Sequence, residues 1–92
     1  MSEVSPREIK RKRIEAGRER ILEIIATDGP QTVSSLSISL TKEGVYVPVS
    51  ADSPKGAAIH WARARVKELE KRGLIYARPN PAQRYSDLWA LR

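Results

Sequence analysis

The sequence predicts an α+β domain: three helices followed by a C-terminal two-stranded β-hairpin. Three observations lead there. Apolar residues recur at helical spacing in three separate stretches, each opened by a capping signal. The last of these ends at Gly73, and two short runs of strand-forming residues follow, joined by Pro79-Asn80-Pro81. A chain of 92 residues has room for one domain.

The first helix opens at Ser5-Pro6-Arg7-Glu8, a cap residue with Pro at the first helical position and Glu at the third. Ile14, Ile21, Leu22 and Ile25 share a face up to Thr27, and Asp28-Gly29-Pro30 ends the element. Gly17 weakens the middle by about 1 kcal/mol relative to Ala. The stretch before it, with Lys10-Arg11-Lys12-Arg13, reads either as helix or as a frayed arm. A strand-like link, Gln31-Thr32-Val33, precedes the second helix. There Thr32 is the cap, and Val33, Leu36 and Leu40 have helical spacing. The alternation of Leu36, Ile38 and Leu40 also fits a strand; the order of elements favours helix.

Thr41-Lys42-Glu43-Gly44 reads as a turn. Val45-Tyr46-Val47-Pro48-Val49 has strand-like residue types interrupted by Pro, hence an edge strand or extended loop. Ser53-Pro54 repeats the helix-entry chemistry, and the third helix runs from Pro54 to about Arg72. Its buried stripe is Ala58, Ala62, Val66 and Leu69, with Ile59 at the edge and Gly73 at the C-terminal cap. Leu74-Ile75-Tyr76-Ala77 is the first hairpin strand, and Tyr85 to Leu91 returns as the second. Trp89 and Leu91 share parity and are expected to face inward.

Composition narrows the function. With 40% hydrophobic and 30% charged residues, the chain is neither a disordered tail nor a membrane protein. Aromatics make up 5% and Phe is absent, so the core is aliphatic. There is no Cys and a single His, His60, which excludes disulfides, thiolate zinc sites, cysteine nucleophiles and multi-histidine metal sites. No cofactor is expected. An enzyme is the least expected class, because Asp28, Asp52 and Asp87 are scattered and each suits a turn or strand end. No stretch suits a bilayer span or a secretory signal. The expected location is the cytoplasm, on the nucleoid in a prokaryotic or viral setting.

Net charge is +6 but unevenly spread. Residues 1–20 carry seven basic and four acidic side chains, residues 21–53 one and four, residues 54–92 nine and three. Two basic ends flank an acidic middle, as expected when one face meets a polyanion and another does not.

The order helix, strand-like link, short helix, helix, hairpin resembles the winged helix-turn-helix DNA-binding family. Ile21-Leu22-Glu23-Ile24-Ile25 followed by Asp28-Gly29-Pro30-Gln31-Thr32-Val33-Ser34-Ser35-Leu36 looks like its first helix, turn and second-helix start. Val66-Lys67-Glu68-Leu69-Glu70-Lys71-Arg72-Gly73-Leu74-Ile75 looks like its recognition-helix end and first wing strand, and Arg84 through Leu91 like the returning strand. Trp61-Ala62, Leu69 and Gly73-Leu74-Ile75 also resemble the N-terminal winged helix of Mrr-type restriction endonucleases, of which only the DNA-reading module is expected to carry over. Thr41 to Ser53 departs from the compact pattern by making an extended insert between helices 2 and 3. The resemblance divides the chain into residues 1–20, a basic N-terminal arm and the start of helix 1, and residues 20–92, the winged-helix domain.

Rotating 100° per residue from the buried stripe brings Gly56, His60, Arg63, Lys67 and Lys71 together on the opposite face, with Ala64 beside them and Lys55 just before. That ridge carries no carboxylate, with Glu68 and Glu70 expected to point elsewhere. The expected function is sequence-specific binding of double-stranded DNA by a small transcriptional regulator. Helix 54–72 would lie in the major groove and wing 76–86 on the backbone or minor groove. Arg78 and Arg84 flank the wing tip, either as backbone contacts or as guards of an edge strand. Lys10, Arg11, Lys12 and Arg13 track phosphates, are solvated beside Glu8, Glu15 and Glu19, or form a homodimer contact through Ile9 and Ile14. His60 suits a base or phosphate contact or a plain surface position better than a metal. Trp61 is expected to pack on the insert or first helix, with base stacking the lesser alternative. The rival reading is an adaptor or inhibitor that binds a protein partner along the 45–49 edge; RNA binding stays open on charge alone.

Overall fold

The structure, a computed structural model, describes residues 5–47, 54–83 and 86–92, with the side chains of Pro54 and Lys55 outside that description. The chain is α+β: α1 (Pro6–Asp28), α2 (Val33–Lys42), α3 (Pro54–Lys71), then β1 (Ile75–Arg78) and β2 (Leu88–Leu91). Among the described residues no helix is long and apolar enough to cross a membrane.

Ser5 caps α1, its Oγ accepting from the Glu8 N–H at 3.3 Å, and the helix is continuous from Pro6 through the basic stretch rather than frayed. Its buried face is Gly17, Ile21, Ile24 and Ile25. Ile24 replaces the expected Leu22, which with Ile14 is half-buried, because i, i+3 and i+4 define the stripe. Thr32 caps α2, its Oγ1 accepting from the Ser35 N–H at 3.1 Å.

Both α2 and α3 end in a Schellman closure. Val45 N–H donates to Leu40 O at 2.9 Å and Gly44 N–H to Thr41 O at 3.1 Å; Leu74 donates to Leu69 at 3.1 Å and Gly73 to Glu70 at 2.9 Å. Gly44 and Gly73 supply the left-handed backbone this requires, with φ of 76° and 74°. The first closure corrects the sequence reading. Thr41 and Lys42 are the last turn of α2, and Val45–Val47 forms no strand. The N–H groups of Val45 and Tyr46 are committed to Leu40 O, and both side chains pack on the core. Pro48 and Val49 lie outside the described residues.

β1 and β2 pair antiparallel in the register Ile75↔Leu91, Tyr76↔Ala90, Ala77↔Trp89 and Arg78↔Leu88. The second strand is shorter than expected: Ser86 and Asp87 are irregular and Tyr85 lies outside the described residues. The tip turns where Asn80 Oδ1 accepts from Ala82 N–H at 3.0 Å. Trp89 faces inward as expected. Leu91 does not: Ile75 opposite takes the buried place, and Leu91 at the strand end is 41% exposed. The strand-like link survives as one residue, Gln31. Its N–H donates to Trp89 O at 3.0 Å, and the Trp89 N–H returns to Gln31 O at 2.7 Å.

Ile21, Ile24 and Ile25 meet Leu36 and Leu40, the α3 stripe Ala62, Val66 and Leu69, then Ile75 and Trp89. This single core fixes which face of α3 looks outward.

Candidate nucleic-acid interface

Because Ala58, Ala62, Val66 and Leu69 are buried, α3 must present its opposite side to solvent. Gly56, His60, Arg63, Ala64, Lys67 and Lys71 are all exposed. Spaced at i, i+4, i+7, i+11 and i+15, the ridge runs about 22 Å along the helix. Lys55 stands in the first turn, its side chain outside the described residues. Among the described residues no group of three or more His, Asp or Glu is placed to hold a metal ion.

The ridge differs from expectation in its carboxylates. Lys67 Nζ lies 3.5 Å from Glu70 Oε1 and 5.3 Å from the centre of the Trp89 ring. An exposed i,i+3 pair of this kind is worth about 0–1 kcal/mol, so a phosphate can displace it. Glu68 does point away. A cleft of about 160 Å³ opens where the ridge meets the first turn of α2 and the base of the hairpin, lined by Ser34, Arg63, Lys67, Asp87 and Trp89 among others. It joins two cations to a helix start, where the first N–H groups have no intrahelical acceptor. Asp87 sets an acceptor beside them. A larger apolar cleft of about 460 Å³, lined by Ile38, Ala58 and Ile59 with serine and threonine neighbours, lies between α2 and the start of α3; the sequence reading did not anticipate it.

Arg78 is exposed at the end of β1, on the way to the tip; Arg84 lies outside the described residues. In the arm, Lys10, Arg11, Lys12 and Arg13 are all exposed, and among the described residues none forms an ion pair, with Glu8, Glu15, Glu19 or any other acid. The next two arginines of α1 behave differently. Arg20 bonds Glu43 at 2.6 Å and Glu23 at 3.0 Å, and those bonds, Glu43 first, raise its pKa above the usual guanidinium value. Arg18 reaches Glu68 at 3.2 Å. The outward charge of α1 therefore sits in Arg7 to Arg13.

One cluster escaped the sequence reading. Arg65 is 8% exposed, grips Glu68 with two bonds of 2.9 and 3.0 Å, and stacks 5.0 Å from the centre of the Trp61 ring. Trp61 packs on both expected neighbours: the Tyr46 ring at 5.3 Å, and Gly17 of α1, where an added Cβ would overlap the indole. The spacings Trp61–Arg65 and Arg65–Glu68, i,i+4 and i,i+3, were the available signal.

Comparison with models of known protein families, with curated proteins and with solved structures finds no match.

Proposed function

We propose that this chain is a winged helix-turn-helix protein that binds double-stranded DNA in a sequence-specific way, and that it acts as a small cytoplasmic transcriptional regulator without enzymatic activity or cofactor. In this reading α3 enters the major groove, the hairpin is the wing that touches backbone or minor groove, and the arm of α1 adds phosphate contacts. Three features support it: a hairpin directly after the third helix, a third sheet position supplied by Gln31, and basic side chains on the outward side of α3. The observation that carries the reading is the last one. Gly56, His60, Arg63, Ala64, Lys67 and Lys71 are all exposed, while Ala58, Ala62, Val66 and Leu69 are buried on the other side.

The rival strand-addition partner finds less support, since at Val45–Val47, the described part of its edge, the chain forms no strand and the N–H groups of Val45 and Tyr46 are used by Leu40 O. Homodimerisation through the arm would bring like charges together, whereas a polyanion would not. Mobility-shift titration against random and genomic duplexes, at two salt concentrations, tests the proposal. Expected is tight, salt-sensitive binding with a subset of genomic duplexes preferred. Absence of any shift at low salt would sink it.

A further inference from the structure

α1 has two halves with different surroundings. From Ser5 to Arg13 every residue is exposed; from Gly17 onward the helix is packed. The arm's direction is therefore set where α1 first becomes buried, at Gly17. At that level the Trp61 ring lies against Gly17, and Arg18 Nη1 bonds Glu68 Oε1 at 3.2 Å. The same carboxylate receives both bonds from Arg65, which itself rests on Trp61. One acid on α3 is thus shared by two guanidinium groups, one from each helix. Among the described residues it makes the sole polar side-chain link between α1 and α3.

We infer that Glu68 is a positioning residue: it clamps the arm-bearing helix to α3, so that the arm cations Lys10–Arg13 and the α3 ridge meet one duplex in a fixed relation. This rests on the DNA-binding reading. Two properties favour a positioning role over simple stabilisation. A buried charge pair is often worth no more than apolar groups of the same volume, and in some proteins such a pair instead selects one arrangement among several. Side-chain exposures of 16% for Arg18, 10% for Arg65 and 35% for Glu68 put this one in that class. Gly17, lacking a Cβ, is also the least restrained backbone position of α1, and the clamp closes there. Lys10 stands about 10 Å along the axis from that point, so a small tilt there displaces the arm cations against the phosphates.

The test is Glu68→Gln, which keeps the shape and loses the charge. Since the chain has no cysteine, spin labels on Arg11→Cys and Arg72→Cys report the arm-to-α3 distance without DNA. Expected is a single narrow distribution that broadens in Glu68→Gln; equal widths overturn the clamp. In parallel, the arm is neutralised (Lys10, Arg11, Lys12 and Arg13→Gln) in both backgrounds, and binding to a random 20-base-pair duplex is titrated across salt. In the parent, arm neutralisation should cost about tenfold or more and lower the salt slope by up to about 3.6, since each phosphate that the arm neutralises adds about 0.9. In Glu68→Gln the same change should cost much less. Additive losses would overturn the inference while leaving DNA binding intact; a parent that binds no duplex would remove both. Should Glu68→Gln not fold, Arg18→Gln, which spares the Arg65–Glu68 pair, must give the same broadening.

Discussion

Gly17 shows how one residue can reverse a general rule. In a helix interior Gly→Ala ordinarily stabilises by about 1 kcal/mol. Here the new methyl would meet the Trp61 indole, with the ring's Cζ3 at 2.9 Å, and Tyr46 and Arg65 both rest on that ring. Gly17→Ala should therefore lose about 1–3 kcal/mol in urea unfolding followed by tryptophan fluorescence; a gain would mean that the indole swings clear. The cost of Gly17 was legible in the sequence and its reason was not, because a close approach depends on which helix crosses there. Arg65 was hidden for a related cause: charged side chains are rarely buried unless paired, and the Trp61 surface that covers it belongs to tertiary structure. Arg63, by contrast, was placed by periodicity alone. Arg63→Ala should cost about 1–3 kcal/mol on the preferred duplex and relax selectivity at one base position. Equal losses on preferred and random duplexes would assign it to a phosphate instead.

Among the elements, α3 was the most readable, since a stripe of four apolar positions at period 3.6 leaves one outward face. The hairpin was readable in order but not in extent. Its turn was expected from Pro79-Asn80-Pro81, while Ser86 and Asp87 fell outside β2 although the run from Tyr85 looked continuous. Of the two readings of Val45–Val47, edge strand or extended loop, the strand is not formed: valines suit an extended chain, yet backbone demand at the end of α2 decides where Val45 and Tyr46 lie. Sequence propensity is silent about which carbonyls need a partner. For the hairpin as a wing, Arg78→Ala should weaken all duplexes alike and lower the salt slope by about 1, read from anisotropy titrations at several salt concentrations. An unchanged slope would take β1 out of the interface.

For the molecule as a whole, the uneven charge is partly resolved inside the fold. Glu23 and Glu43 of the acidic middle are engaged by Arg20, and Glu68 by Arg18 and Arg65, whereas the arm cations stay outward. Should six to ten phosphates be neutralised, affinity should drop by about 10³–10⁵ between 50 and 200 mM salt. A fall of less than tenfold would show that the arm and ridge do not act together. One further property follows from the reciprocal bonds between Gln31 and Trp89. The hairpin is stitched to the corner that joins the first two helices, and its indole also carries the Lys67 ammonium. Peeling it away would thus cost two backbone hydrogen bonds and one cation's resting place in a single event, so the projection opens as a unit with that corner or stays shut.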